Sequence, residues 1–373
     1  MPPDSPLLVV HASTQRGWRG GEQQIAWLHQ RLAARGVRQR LVCAAGSELA
    51  RRAARAGADV VEAPGRGGAD PRFARALARA SAGALVHAHD PNAHAAAVLA
   101  RALFRSPAPV VLSRRVAFPI GRGALTRWKY DHPAIRRIVC SSRAIADGLR
   151  GAIREPGRLV VVHDAIDADR FAPGRGRGRL RAELGVPPGV PLVGTVAALT
   201  AEKDPLTFVE VAARLVAAGR ELRFVWMGEG PLRAGVEDRL RTLGLSGRVA
   251  LPGFRDDLPE LLPGLDLFLF TSRSEGLGTS ALDAQACGVP VVATTAGGLP
   301  EAVADGETGL LAPPGDADAL AAQVGRLLDD AALRARLADA GPRRVRASFG
   351  LDALADRMLQ VYGDVLTESR PAR

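Results

Sequence analysis

The side chains best suited to chemistry sit in one run, TSRSEGLGTSALDAQACGVPVVATTAGGLPE (271–301). A strand-like segment delivers Glu275 into a glycine-rich turn, Gly276, Leu277 and Gly278, and a helix is expected to begin at Thr279 and Ser280. Glycines let a backbone approach a ligand closely, and a helix N-terminus offers N–H groups and the positive end of a dipole. Together they suit a diphosphate. Asp283 lies eight residues after Glu275, which is about 12 Å along a helix. Two acids at that separation could grip opposite ends of a nucleotide-sugar, sugar hydroxyls at one and ribose at the other. Taken alone, such a pair is better explained as a surface aspartate and a glutamate answering the helix dipole.

The histidines form a second concentration. HAHDPNAH (87–94) follows a strand-like run. An HxHxDH metal pattern would need Asp at the fifth position, where Pro91 stands, so no metal site is expected there. His89, Asp90 and His94 would sit at the C-terminal end of a strand. We read them as acceptor-binding, with helix capping by Asp90 as the alternative. The three cysteines, Cys43, Cys140 and Cys287, are far apart and form no CxxC pair, which fits buried small hydrophobes in a reducing compartment. There is no GxxxxGK[ST], HExxH or GxSxG motif, and Gly17, Gly20 and Gly21 do not make GxGxxG.

Alternating elements must position these groups. Strand-like runs at 7–10, 40–44, 85–89, 109–112, 137–140 and 158–162 are separated mostly by Ala/Leu/Arg helical stretches, the first at 23–34. Between Asp167 and Pro191 the pattern gives way to a segment rich in Pro, Gly and Arg. A second series follows, with strands at 192–199, 222–228, 248–253, 265–272 and 289–294. Its helices are expected at about 205–218, 231–244, 279–287 and 316–340. Alternation of this kind indicates parallel α/β sheets. A chain of 373 residues suits two domains, expected at 1–170 and 171–348. The remainder, 349–373, reads as an amphipathic helix that must pack somewhere and is expected to return to the first domain. Two doubly wound domains would present the C-terminal ends of both sheets to a shared cleft.

Charge is unevenly spread. Residues 1–170 carry 27 Lys/Arg and 13 Asp/Glu (27 − 13 = +14), whereas the whole chain is +11, so the rest is about −3. A basic first half suggests an anionic partner, such as a membrane lipid or a phosphorylated acceptor; solvated arginines on helix faces are the alternative. Nucleic acid is not expected, because the arginines are scattered and aromatic platforms are few. The start of the chain has no basic n-region and only a four-residue apolar run, Leu7–Val10, and no stretch approaches a membrane span. A cytoplasmic protein is expected.

Segment 271–301 resembles the signature of family 4 glycosyltransferases, retaining enzymes of the GT-B fold: S-E-G-L-G, a second acid eight residues on, then A-x-G-x-P-V-V-A-T and G-G-L-P-E. The likeness continues through VGTVAALTAEKDPLTFVEVA (193–212), WMGEGPLR (226–233), LPGFRDDLPELL (251–262) and DGETGLLAPPGD (305–316). In the first half, RGWRGGEQQ (16–24) and VVHDAIDADRF (161–171) match as well. The resemblance implies two Rossmann-like domains facing across a cleft. It implies that Glu275 contacts the donor sugar, Asp283 the ribose hydroxyls, and Lys203 the departing diphosphate. Gly20 and Gly21 would let the first domain's backbone close over that diphosphate, and the base would be met by backbone around Gly253, Phe254 and Arg255. Lysine is rare in this chain and arginine preferred almost everywhere, which favours a specific role for Lys203 over a surface one.

Three positions depart from the family pattern. Asp283 stands where Glu is usual, Ala197 and Ala198 where an Arg often precedes the phosphate lysine, and SRR (113–115) where many relatives carry His. Arg114 or Arg115 could take over phosphate or acceptor contact. The expected activity is sugar transfer from a nucleotide-diphosphate sugar, without metal or other cofactor, to an envelope glycan or lipid-linked saccharide. Peripheral attachment to anionic membrane would accompany it. A sugar-nucleotide epimerase, or a non-catalytic relative that binds nucleotide-sugar or membrane, would be the rival readings.

Overall fold

The computed structural model describes residues 7–65, 70–117, 120, 121, 123–174, 176 and 178–369. The chain divides into two compact units, Met1–Asp164 with Leu351–Arg373, and Ala165–Gly350. The division falls six residues before the expected 170/171 boundary.

The first unit is built on seven strands: β1 (Leu8–Ser13), β2 (Arg38–Ala44), β3 (Val60–Ala63), β4 (Leu85–Ala88), β5 (Val110–Arg114), β6 (Ile135–Cys140) and β7 (Leu159–Val161). They form one sheet in the order β3-β2-β1-β4-β5-β6-β7, with every pairing parallel. Such strands are covered on both faces, so they read as runs of apolar residues rather than alternating ones. Val9, Val10, Leu85, Val111 and Ile138 are all shut off from solvent. The expected terminal helix runs Leu351–Glu368 and belongs to this unit. It buries Leu354, Met358, Val361, Tyr362 and Val365. Each such side chain contributes about 1.5–3 kcal/mol. Arg35 anchors its start through Asp352 and Asp356, and Arg137 holds its end through Glu368.

The second unit carries β8 (Leu192–Val196), β9 (Arg223–Met227), β10 (Val249–Gly253), β11 (Leu267–Phe270), β12 (Val291–Thr294) and β13 (Gly309–Ala312), again all parallel, in the order β10-β9-β8-β11-β12-β13. Two apolar clusters fill its faces, one around Phe268, Phe270 and Leu282, the other around Phe208, Phe224 and Trp226. The Pro/Gly/Arg segment holds one short helix, Arg179–Glu183, seated by the buried Leu180. The helix expected over 316–340 is two, Ala317–Asp329 and Ala331–Phe349. Asp330 between them caps the second by accepting from Leu333 N at 2.8 Å.

In each sheet the strand order reverses once, between β1 and β4 in the first unit and between β8 and β11 in the second. The connections leaving those strands diverge to opposite faces and open a crevice at their C-terminal ends, where open α/β sheets take ligands.

Candidate donor site

The second unit's crevice is framed by the segments that leave β8 and β11. After β8 the chain makes a single helical turn at Ala201–Lys203, and Asp204 then takes a left-handed conformation with φ 49°. Its carboxylate caps the Pro205–Ala217 helix, accepting from Thr207 N at 3.3 Å and Thr207 Oγ1 at 2.6 Å. The segment after β11 is stitched to this turn. Thr271 Oγ1 donates to the carbonyls of Lys203 (3.1 Å) and Asp204 (3.0 Å), Arg273 N donates to Glu202 O (2.8 Å), and Arg273 Nε donates to Asp204 (2.6 Å).

This stitching brings Lys203 and Glu275 together. Lys203 Nζ pairs with Glu275 Oε1, and Ser272 Oγ donates to the same oxygen at 3.1 Å. Glu275 is 8% exposed. A carboxylate so buried needs its cation, because an unpaired buried charge costs several kcal/mol. The chain has only two lysines, Lys129 and Lys203, and one of them supplies this charge.

The glycines around Glu275 are sterically required. Gly278 has φ 88°, and a Cβ there would lie 2.5 Å from Leu299 Cδ2 and 3.2 Å from Phe270 Cε1, both in buried side chains. Gly297 has φ 55°, and a Cβ there would lie 2.1 Å from the Glu275 carbonyl oxygen. Gly278 opens the Thr279–Ala286 helix, whose N-terminus has no side-chain cap, so its first amides are offered to a ligand. Gly276 is half-buried beside this start, whereas Leu277 is buried in the core.

Asp283 lies on the same helix, half-buried, with Oδ1 closed off from solvent and given no hydrogen-bond partner. Burial pushes its carboxyl up to about 8, against the opposing pull of the Arg170 guanidinium. A buried acceptor without a donor is expensive in the free protein, and ribose hydroxyls are donors of the kind it lacks.

The remaining sequence candidates are placed as follows. Gly253 ends β10, Phe254 beside it is 77% exposed, and Arg255 is tied to Asp257 and Glu183. Gly20 and Gly21 are the first residues of the Gly20–Ala34 helix in the first unit, with open space where a Cβ would be. Also in that unit, Asp90 accepts from Asn92 N and Ala93 N as the cap of the Pro91–Phe104 helix, and from Thr14 N and Oγ1, both at 2.7 Å. His94 is buried with Nε2 against Lys129 O at 3.0 Å. His89 is buried beside His11. Arg115 pairs with Asp164 at 2.8 Å, and Arg114 Nη1 donates to Tyr130 OH at 3.4 Å. These five side chains are thus engaged within the unit.

Sequence reasoning passed over Ser272, Asp204, Arg273 and Gly297. Asp204 had a readable signal, since Asp directly before Pro is a helix start. Ser272 and Arg273 had none, because their partners are fixed only by the β8/β11 adjacency.

The family model described as Glycosyl transferases group 1 matches residues 176–344, and the model described as Glycosyltransferase Family 4 matches residues 18–170. The chain is 31% identical to the alpha-D-kanosaminyltransferase of Streptomyces kanamyceticus over 77% of its own length and 79% of the relative's. It is 35% identical to the 2-deoxystreptamine glucosyltransferase of the same organism over 66% of its length and 65% of the relative's, just under two thirds. Its fold matches that of Anabaena Alr3699/HepE in complex with UDP-glucose with a TM-score of 0.83 over 96% of this chain and 100% of the other, at 19% identity. With two parallel Rossmann-like units of seven and six strands, and both family models matched in order along its length, the chain belongs to glycosyltransferase family 4.

Proposed function

We propose that the chain transfers a sugar, with retention of anomeric configuration, from a nucleoside-diphosphate sugar to an acceptor, and that the transfer needs no metal. The observation that carries this reading is the Lys203–Glu275 pair at the β8/β11 crevice, beside an uncapped helix N-terminus. Cleaving the bond between a sugar and a diphosphate builds negative charge on the leaving group and positive charge on the sugar. A fixed cation and helix amides stabilise the first, and single donors of this kind are worth about 3 kcal/mol. When donor enters, Lys203 exchanges Glu275 for phosphate oxygens, and Glu275 is released to accept from sugar hydroxyls. Asp283, further along the same helix, takes the ribose hydroxyls. The retention in this proposal rests on the resemblance to family 4 enzymes.

The test is calorimetric binding of UDP, GDP, ADP and CMP to the full chain, followed by NMR of the transfer product. The Anabaena neighbour in complex with UDP-glucose puts UDP first in that panel. One nucleotide should bind tightly, and the product anomer should match the donor. Binding of none would remove the transferase reading and favour a non-catalytic relative; an inverted product would remove retention alone.

We further propose an anionic or lipid-linked saccharide as acceptor, met at the cytoplasmic face of a membrane. Its support is the +14 charge of residues 1–170. Among the described residues no helix is long and apolar enough to cross a membrane, so attachment on this reading is electrostatic. Co-sedimentation with anionic vesicles should be strong at low salt and lost at moderate salt, where the screening length shrinks below about 10 Å. Equal affinity for neutral vesicles would refute the charge argument.

A further inference from the structure

The HAHDPNAH run makes no cation site by its own spacing, but the fold supplies a different third histidine. His87 on β4 and His89 just beyond it are two residues apart and point to the same side of the sheet. His11, on the adjacent β1, is directly in register with His87. His89 stays in line because its N–H donates to Ala12 O at 3.0 Å. The ring centroids lie 3.9 Å apart for His87–His89, 5.2 Å for His11–His89 and 5.8 Å for His11–His87. The three residues are 0%, 1% and 7% exposed in chain order. An HxH pair on one strand with a third histidine across from it on the next is an arrangement that can close three imidazoles around one ion.

The hydrogen bonds fix where the lone pairs are. The Gln39 amide nitrogen donates to His29 O at 3.0 Å, which leaves Gln39 Oε1 to accept from His11 Nε2 at 3.0 Å. His11 Nε2 therefore carries the hydrogen, and His11 Nδ1 is a lone pair, 2.9 Å from His89 Nε2. His89 Nε2 must then be the donor in that contact. This leaves His89 Nδ1 as a buried lone pair with no partner. That open lone pair can take the ring's hydrogen when Nε2 turns to an ion.

We propose that His11, His87 and His89 form a binding site for one divalent transition-metal ion of the zinc class. One nitrogen from each ring lies within 4.8 Å of the others. Zinc–nitrogen bonds of about 2.0–2.1 Å in a tetrahedral site set nitrogens roughly 3.4 Å apart. The nitrogens present lie within 4.8 Å of one another, with His11 Nδ1 2.9 Å from His89 Nε2, so that spacing is within reach. Outer partners are in place too. Gln39 holds His11, while Tyr362 OH (2.7 Å) and Ser113 Oγ (2.8 Å) face the two nitrogens of His87. On binding, His87 keeps one hydroxyl and gives the ion its other nitrogen. Such partners orient a ligating ring and raise its basicity.

Electrostatics permit the ion. Burial foremost keeps all three rings neutral, with His11 pushed down to about 3, so lone pairs are on hand. A tautomer exchange within the cluster then suffices, with no proton to expel. The Arg115 charge that faces His87 and His89 is offset by its ion pair with Asp164. The site would tie β1 to β4 and, through Tyr362, to the terminal helix. It uses none of the donor residues Lys203, Glu275 or Asp283.

The test uses the full chain, stripped with chelator and titrated with Zn2+ and Co2+. One equivalent of Co2+ should bind with the ligand-field absorption of a tetrahedral or five-coordinate nitrogen site, and Zn2+ should displace it and raise Tm. Gln39→Ala, which spares the three ligands and the fold, should weaken the affinity about tenfold or more. His89→Gln should abolish the band, and His94→Gln should leave it unchanged. Absence of a stoichiometric Co2+ band in the wild-type chain overturns the proposal. So does an unchanged band in a folded His89→Gln protein, since the ion would then sit elsewhere.

Discussion

Lys203→Ala is expected to lower transfer about a hundred- to a thousandfold and to weaken nucleotide binding, while the chain remains folded. The first effect follows from removing the side-chain cation that pairs with Glu275 at the donor crevice, since single preorganised donors to a developing anion are worth about 2.7–4 kcal/mol. No neighbour is placed to replace it without rearrangement. The positions where relatives often carry an arginine are Ala197 and Ala198, and Arg273 is engaged with Asp204. The stability cost should be smaller than for a fully buried pair. Lys203 is 23% exposed on its side chain, and Glu275 keeps the Ser272 hydroxyl at 3.1 Å. Lys203→Arg should not restore the rate, because a planar fork does not fill the place of a compact ammonium. Steady-state kinetics with the nucleotide-sugar identified by calorimetry decide the matter. A variant within threefold or so of wild type would remove Lys203 from the chemistry.

Asp283→Asn should separate stability from function, and pH sets the direction. The carboxyl lies at about 8 in the folded chain against an ordinary value of 3.8. Between those limits the folded state holds a proton that the unfolded state has lost, so this group makes stability fall as pH rises from about 4 to 8. The full shift corresponds to about 6 kcal/mol. Because the side chain is only half-buried, we expect about 2 kcal/mol, or roughly 4–8 °C in Tm. The variant lacks the titration. Its Tm should exceed the wild type's at pH 8.5 by more than at pH 5, while its nucleotide affinity falls because an amide oxygen is a weaker acceptor for ribose than a carboxylate. Melting curves across that pH range check the first claim and calorimetry the second. Parallel Tm profiles would show that Asp283 is not held protonated.

The comparison of sequence with structure divides along the range of the interactions. Runs such as LRFVWMG and LDLFLFTS announced β9 and β11 because both faces of a parallel strand are covered. The edge strands β3 and β13 are not among the runs read from the sequence, although β4, β11 and β12 are just as short. The domain boundary was placed late. Ile166 N donates to Phe349 O at 2.9 Å, a contact spanning most of the second unit, and no local spacing betrays it. Lys203 and Glu275 are 72 residues apart, and their pairing was legible only through motif blocks that resemble a family. Asp283 could be set about 12 Å along a helix by arithmetic, yet nothing in the letters says that its Oδ1 lacks a donor. His11 is further still from its partners, because β1 and β4 adjoin only after two intervening strands have been laid on the other side.

The return of residues 351–368 to the first unit also fixes a timetable for synthesis. Residues 165–350 are a complete insertion, able to collapse as soon as Gly350 has cleared the ribosome. The first unit begins earlier and finishes later. Until the closing helix arrives, the surface meant for Leu354, Met358, Val361 and Tyr362 stays bare, and His87 lacks the phenol hydroxyl that faces it. A chain in which Gly350 has emerged but the closing helix has not docked would therefore hold a finished second unit tethered to an unfinished first one. That nascent chain is the form in which this protein most needs a chaperone.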